Sequence, residues 1–226
     1  MDLLDISKAS GKQYFETLYI KSFPEDERID LADLYSLKED GLIDIVNISD
    51  DNRDIGFAVI YFSDNVHLLS YFAIEPDLRS KGLGSKSLSL LKNTYKDLMI
   101  EIESTDLKDS DDYHLRNRRK AFYIRNGFKV LEDKVDYFGI EMELMSTTKD
   151  AGINDYFDTY NNIFDKEFID ENIKKYNIDY QHGKLLNENI PFNKEDKIYV
   201  HCQSGVRSSI AVGILENKGF ENVVNI

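Results

Sequence analysis

The residues best suited to chemistry lie in a short loop at 79–85, between a strand-like apolar segment and a helix-like segment. The loop reads Arg-Ser-Lys-Gly-Leu-Gly-Ser, so two cations and two glycines lie close together. Free backbone N–H groups at the start of a helix attract anions, and glycine lets a phosphate approach the backbone closely. We therefore expect a pyrophosphate to bind here, although an ordinary strand-to-helix turn would show the same pattern.

The elements that position this loop follow from hydrophobic periodicity and turn residues. Strands are predicted at 2–6, 42–48, 55–62, 66–74, 98–103, 128–132 and 136–145, and helices at 10–22, 30–38, 84–97 and 114–126. A polar cluster at 49–54 predicts a turn, Pro24 ends the first helix and Gly127 ends the last. The order β-α-α-β-β-β-α-β-α-β-β predicts an α/β fold with a mixed, mostly antiparallel twisted sheet flanked by helices.

Two motifs in this order resemble a known family. Arg-x-x-Gly-x-Gly at 79–84, after an apolar strand and Glu-Pro-Asp, resembles motif A of the GNAT N-acetyltransferases, and 119–128 resembles their motif B. The resemblance spans about 1–147 and implies that acetyl-CoA is the cofactor. Tyr123 matches the family tyrosine that lies near the thioester sulfur and protonates the leaving thiolate.

The resemblance also implies a set of cofactor contacts. Backbone groups of the preceding strand would hold the pantetheine arm, and the loop would hold the pyrophosphate. Many members carry an asparagine seven residues before the tyrosine. Arg116 occupies that position here, and Asn117 follows it. The residues implied to bind the cofactor are Phe72, Ala73, Ile74, Arg79, Ser80, Lys81, Gly82, Leu83, Gly84, Ser85 and Asn117.

The implied reaction is acetyl transfer to a primary amine by direct attack in a ternary complex, and it needs a base for the amine proton. Glu101 and Glu103 alternate with apolar residues on one predicted strand, so they face the same side. They are the first candidates for the base, and a solvated edge face is the alternative. Glu75 is a weaker candidate.

A third stretch bears on the acceptor. Residues 22–28 read Ser-Phe-Pro-Glu-Asp-Glu-Arg and resemble a Phe-Pro-x-x-Glu-Arg stretch of one group of bacterial GNAT proteins. In that fold the first two helices border the acceptor site. Glu27 and Arg28 therefore contact the acceptor in one interpretation and pair with each other at the surface in the other. The acceptor could be a small amine, an antibiotic, a polyamine, or a protein N-terminus or lysine.

The chain beyond about 160 resembles another family. Cys-x-x-Gly-x-Arg at 202–207 follows a predicted strand and opens a helix, as in the active-site loop of rhodanese-like sulfurtransferases. A helix N-terminus and a nearby arginine favour a thiolate. The resemblance implies a persulfide on Cys202 and a donor anion oriented by Arg207. The strand expected at 168–172 has Asn172 where the family has arginine.

The usual glycine pair and final helices of the rhodanese-like fold are not found before residue 226, so a partial domain is expected at 160–226. The domains predicted are thus 1–147 and 160–226, with a linker at 148–159. The alternatives to acetyl transfer are persulfide chemistry at Cys202 and a non-catalytic acyl-CoA-binding sensor. The partial domain could also serve as a docking surface in a homodimer.

Composition limits the remaining choices. The 226 residues carry a net charge of −14, which argues against binding to nucleic acid or to anionic membranes. The sequence contains one cysteine and shows no metal-ligand spacing and no long apolar run. The first residues are acidic, unlike those of a signal peptide. A cytoplasmic protein without a metal is therefore expected.

Overall fold

The computed structural model describes residues 1–7, 9–106, 112–176, 194–195, 197–200 and 206–225. The strands are β1 (Asp2–Asp5), β2 (Ile43–Asp50), β3 (Arg53–Phe62), β4 (His67–Ile74), β5 (Leu98–Glu103), β6 (Lys129–Tyr137), β7 (Ile140–Ser146), β8 (Ile173–Lys175), β9 (Ile198–Val200) and β10 (Val223–Asn225). The helices are α1 (Ala9–Ser22), α2 (Leu31–Glu39), α3 (Leu83–Thr94), α4 (Tyr113–Arg125), α5 (Ile153–Asn161), α6 (Lys166–Asn172) and α7 (Val206–Asn217). Within the described ranges, no helix is long and apolar enough to cross a bilayer.

Eight strands form one sheet in the order β1-β2-β3-β4-β5-β7-β6-β8. The pair β4 and β5 is parallel, and the other neighbouring pairs are antiparallel. The mixed sheet with flanking helices that the sequence predicts for residues 1–147 is therefore confirmed.

Strand β3 shows why the sequence folds in layers. Phe57, Val59 and Tyr61 belong to a core with α1, α2 and α5 on one face of the sheet. Ala58 and Ile60 belong to a second core with α3 and α4 on the other face. Because successive side chains of a strand point to opposite faces, a continuous apolar run marks a strand that is buried on both sides.

Two predicted boundaries are wrong because single residues with a positive φ angle make tighter turns than expected. The cluster at 49–54 is mostly strand, and the turn is confined to Asp51 and Asn52 at φ 50° and 62°. Asp and Asn tolerate that conformation better than other side chains do. Similarly, the gap predicted at 133–135 is part of β6, which has a register irregularity there, and the turn falls at Phe138 and Gly139.

The linker predicted at 148–159 is wrong. Residues 153–161 form α5, on which Tyr156 and Tyr160 are buried in the core beneath the sheet. The backbone N–H of Gly152 donates to Asp155 Oδ2 at 2.8 Å, which closes the first turn of this helix. The tyrosine spacing of four residues is that of a helix face.

The segment 160–175, predicted as the start of a second domain, also packs against the first. The strand expected at 168–172 is instead helix α6, because the Asp165 side chain accepts from the N–H of Phe168 at 2.8 Å and caps a helix. Strand β8 then pairs antiparallel with β6 and becomes the last strand of the large sheet. The body built around this sheet therefore extends to about residue 175.

A separate two-stranded unit follows. Strand β9 pairs parallel with β10, and α7 connects them. Cys202 lies outside the described residues, and Arg207 is described only as part of the α7 backbone.

Candidate active site

A cavity of about 870 Å³ opens where β4, β5, α4 and the connection between α1 and α2 meet. This volume suits a small molecule. Its wall brings together residues from most of the sequence motifs. They include Phe23, Glu27, Arg28, Phe72, Ala73, Arg79, Glu101, Glu103 and Tyr123.

One side of the cavity is an open strand edge. Strands β4 and β5 pair only at His67 with Leu98 and at Leu68 with Met99, and they diverge beyond those positions. A β-bulge in β4 contributes to this divergence. Ser70 is an extra residue between Leu69 and Tyr71, which pair with successive residues of β3. The β4 backbone beyond Leu68 therefore has no strand partner on the side of β5 within the described sheet. Such an edge can hydrogen-bond an extended ligand.

The loop at 79–85 lies at the end of that edge. Arg79 donates from Nε to the carbonyl of Ile74 at 3.0 Å, which ties the loop to β4. Gly82 has φ of 77° and precedes α3, and a Cβ placed on it would meet no atom within 4 Å. The loop thus has open space at Gly82, beside the unsatisfied N–H groups that begin a helix. This geometry suits an anion.

The second glycine of the loop has a different role. A Cβ on Gly84 would meet Cζ of Phe122 at 3.3 Å. Gly84 therefore lets α3 approach α4 closely. The sequence motif combines an anion site and a packing requirement.

Glu101 lies on the cavity wall and accepts two hydrogen bonds from α5. The hydroxyl of Tyr160 donates to Oε1 at 2.7 Å, and the hydroxyl of Tyr156 donates to Oε2. Removal from bulk water raises the pKa of Glu101, and the two tyrosine hydroxyls partly oppose that rise. A carboxylate with a raised pKa is a stronger base than an exposed one.

Glu103 lines the same cavity in a different setting. Its Oε2 lies 2.6 Å from Nη1 of Arg119, and its Oε1 lies 3.3 Å from Nη2 of Arg116. The carboxylate of Glu103 thus forms ion pairs with two guanidinium groups. Of the two predicted bases, Glu101 is therefore the better placed to accept a proton.

Tyr123 reaches the cavity from α4. Burial raises the pKa of Tyr123 to about 12, while the charge of Arg119 acts in the opposite direction. Its ring packs against Phe122 and Phe128 at centroid distances of 5.3 and 5.4 Å. The hydroxyl therefore stays protonated near neutral pH and can act as an acid.

The segment 27–29 is fixed by two core tyrosines. The hydroxyl of Tyr71 donates to the carbonyl of Glu27 at 2.9 Å, and that of Tyr19 donates to the carbonyl of Ile29 at 3.0 Å. Glu27 and Arg28 then both line the cavity. The Nε of Arg28 is buried and has no hydrogen-bond partner among the described residues. Both residues thus lie on the cavity wall, and their contact with an acceptor stays a prediction.

Comparison with known proteins decides the family of this part of the chain. Residues 43–130 match the family model described as an acetyltransferase (GNAT) domain. These residues therefore correspond to a GNAT acetyltransferase domain.

Two relatives agree with this assignment. A Bacteroides thetaiotaomicron structure classed as a GNAT-family acetyltransferase is 26% identical, with a TM-score of 0.58 over 69% of this chain and 90% of that chain. The Bacillus subtilis (strain 168) protein YjbC, classed as an acetyltransferase, is 33% identical over 66 residues. That match spans 29% of this chain and only 32% of YjbC.

A third likeness concerns the fold alone. The structure of an aminoglycoside 6'-N-acetyltransferase complexed with coenzyme A is 16% identical and superposes with a TM-score of 0.51. It covers 65% of this chain and 96% of that chain. The GNAT domain thus shares its architecture with a much more distant protein.

The predicted site residues of the GNAT domain fall into two groups. Tyr123, Glu101 and Glu103 line the cavity, together with Phe72, Ala73 and Arg79. The second group lies before α3 or in its first turn, and outside the cavity wall. Its members are Ile74, Ser80, Lys81, Gly82, Leu83, Gly84 and Ser85. Asn117 also lies off the wall, and its Nδ2 donates to the carbonyl of Tyr113 at 2.8 Å.

Among the aromatic residues that the sequence reasoning missed, four come from the chain after residue 147. Tyr156 and Tyr160 bind Glu101, and Phe164 and Phe168 form part of the cavity wall. All four lie after residue 147, in or beyond the predicted linker. The spacing of four residues between Tyr156 and Tyr160 is a helical signal that could have revealed α5, whereas Phe164 lies between the two helices and Phe168 on α6.

Proposed function

We propose that this protein transfers an acetyl group from acetyl-CoA to an amine by direct attack in a ternary complex. One observation carries the proposal. The edge where β4 leaves β5 ends beside an anion-type loop and opens on a cavity whose wall carries both a partly buried carboxylate, Glu101, and a protonated tyrosine, Tyr123.

The residues present fit acetyl-CoA. The open space at Gly82 and the N–H groups that begin α3 suit the pyrophosphate. The unpaired β4 backbone near Phe72 and Ala73 suits the amide groups of the pantetheine arm. Arg79 holds the loop and the strand together through the carbonyl of Ile74.

Bound acetyl-CoA supplies the acetyl thioester that the amine attacks. Glu101 takes the proton from the acceptor nitrogen, directly or through a water, which makes the amine nucleophilic. Tyr123 holds a proton on Oη and donates it to the thiolate sulfur of coenzyme A as that group leaves. Glu103 stays paired with Arg119 and Arg116 and helps to shape the wall.

The acceptor is inferred from the far wall of the cavity, which is a continuous set of aromatic rings. Phe164 stacks on Phe168 at 4.7 Å, and Phe138 meets Phe168 edge to face at 5.7 Å. Behind this wall, Phe164 also stacks on Tyr160 at 6.0 Å. Such rings bind flat apolar groups and also attract cations. We infer an amine that carries an apolar or aromatic group next to its nitrogen.

Charge on the nearer wall agrees with a cationic acceptor. Three carboxylates, Glu27, Asp30 and Asp33, line the cavity where α2 begins and outnumber Arg28, the one cation of the segment 27–33. Carboxylates at the cavity raise the local concentration of a cation before it loses its proton to Glu101.

The first test is binding of acetyl-CoA by calorimetry. Gly82→Glu should abolish binding because it places a carboxylate where the pyrophosphate would lie. Gly41→Glu is a matched control, since Gly41 also has a positive φ (73°) and no atom near its missing Cβ. Loss of binding in both variants, or in neither, would contradict the assignment of the loop.

The second test is turnover on a panel of amines, read as release of free thiol. Glu101→Gln should lower kcat about 100-fold while the affinity for acetyl-CoA is unchanged. Tight binding of acetyl-CoA without turnover of any amine would instead indicate the non-catalytic acyl-CoA sensor.

The rhodanese-like function stays a prediction. The described part of the C-terminal unit is a strand, a helix and a parallel strand, which agrees with the predicted order of elements but is shared by many folds. A thiosulfate:cyanide assay of the wild type and Cys202→Ser tests it independently of acetyl transfer.

A further inference from the structure

We infer that Tyr156 and Tyr160 are positioning residues that hold the carboxylate of Glu101 at the cavity as the base for acetyl transfer. The inference rests on the proposed function, and it makes a helix outside the 43–130 match part of the active site.

Two tyrosines of one helix bind the Glu101 carboxylate, and we call this pair, Tyr156 and Tyr160, the clasp. Tyr156 and Tyr160 lie one turn apart on α5, so their side chains project from the same face. Each hydroxyl donates to a different oxygen of Glu101. A carboxylate held at both oxygens has a fixed orientation, and each oxygen keeps a lone pair for another donor such as the acceptor amine.

Helix α5 is itself held in place, so the clasp is rigid. Tyr156 and Tyr160 are fully buried. The Nδ2 of Asn65 donates to Oδ1 of Asp155 at 2.9 Å, and the Nδ2 of Asn162 donates to the carbonyl of Phe62 at 3.2 Å. These contacts join the two ends of α5 to the last residue of β3 and to the connection between β3 and β4.

The ionisable groups that face Glu101 leave it as the group that titrates. Among the described residues they are Tyr71 from β4, Tyr137 from β6, and the two clasping tyrosines from α5. Glu103, on the same strand and cavity wall, is held in ion pairs with Arg119 and Arg116. Burial raises the pKa of all four hydroxyls, so they remain neutral in the working range. The clasp therefore stabilises the carboxylate with neutral donors and brings no compensating charge.

Burial and the clasp act on the pKa of Glu101 in opposite directions. Burial raises the pKa of Glu101, which strengthens it as a base, while the tyrosine hydroxyls lower the pKa and keep a usable fraction ionised. Without the clasp, Glu101 would be protonated at a higher pH and would turn freely about its side-chain bonds.

The experiment compares Tyr156→Phe and Tyr160→Phe with Tyr61→Phe. Tyr61 is a buried neighbour whose ring lies 6.1 Å from that of Tyr160 but which lies off the cavity wall. The first readout is the pH profile of kcat/KM for a turned-over amine. The second is a carbon-13 titration of the carboxyl groups of labelled glutamate, with the Glu101 signal assigned by Glu101→Gln.

We expect the acidic limb of the profile and the carbon-13 midpoint to move up together by about one pH unit in each clasp variant. Tyr61→Phe should lower the melting temperature without moving either midpoint. Melting curves of all variants confirm that each is folded at the assay temperature.

The contrary outcomes are distinct. A uniform loss of rate at every pH, with both midpoints unchanged, would show that the tyrosines only pack and would overturn the clasp while acetyl transfer stands. A shift of both midpoints in Tyr61→Phe as large as that in the clasp variants would likewise overturn the clasp. A folded wild type that acetylates no amine would overturn both the proposed function and this role.

Discussion

Ending the chain after Lys149 is expected to abolish folding, although the sequence motifs suggest that the first 147 residues are sufficient. The truncation removes five core side chains from beneath the sheet. They are Ile153, Tyr156, Tyr160, Ile169 and Ile173, each no more than 9% exposed.

The magnitude follows from burial. A fully buried large side chain contributes about 1.5–3 kcal/mol, so the loss is on the order of 10 kcal/mol. That is comparable to the whole stability of a typical domain. The truncation also leaves the carboxylate of Glu101 without its two donors and the edge of β6 without β8.

The assay compares two truncations by circular dichroism and by thermal melting. A chain ending at Lys149 should show no cooperative transition. A chain ending at Tyr176 keeps α5, α6 and β8, so it should melt cooperatively and bind acetyl-CoA. A cooperative transition at the wild-type temperature in the shorter chain would refute the reasoning.

Three further predictions concern single side chains. Tyr123→Phe should lower kcat about 100-fold and leave the calorimetric affinity for acetyl-CoA within about twofold, because it removes only the proton donor; an unchanged kcat would exclude that role. Phe168→Ala should raise KM about tenfold for arylalkyl amines but not for methylamine, since it removes part of the aromatic wall; equal effects on both amines would contradict the inferred acceptor class. Burial raises the pKa of Glu143, but hydrogen bonds from Lys120 and Thr105 outweigh this and lower it overall. The ionised carboxylate therefore stabilises the fold above pH 4.5, and this contribution is lost as pH falls through the lowered pKa. The difference in melting temperature between the wild type and Glu143→Gln should shrink accordingly on acidification, and a difference independent of pH would refute the ion pair.

The sequence predicts the first eleven elements because their signals are local. Strand β3 is recognisable from its continuous apolar run, and α3 from the glycine loop that precedes it. The side on which Glu101 and Glu103 lie follows from the alternation along a strand. These features depend on residues within a few positions of one another.

The role of α5 is not predictable in that way, because it depends on contacts between distant residues. Glu101 and Tyr156 are 55 positions apart, and nothing near either residue indicates the other. The segment after Ser146 also begins with Thr-Thr-Lys-Asp-Ala-Gly, which is typical of a linker. The linker interpretation missed a helix that starts directly after that glycine.

The late position of α5 and β8 has a consequence for synthesis of the chain. At 5–20 residues per second, roughly 1.5–6 s pass between emergence of residue 147 and of residue 176. During that interval the face of the sheet around Tyr61 and Tyr137 lacks the cover that α5 provides, and β6 has a free edge. The nascent protein therefore passes through a stage at which it could associate with other chains, and a chaperone that binds exposed aromatic surface would act there. The same delay means that the cavity lacks Phe164 and Phe168, and Glu101 lacks its two hydroxyl donors, until α5 and α6 have left the ribosome.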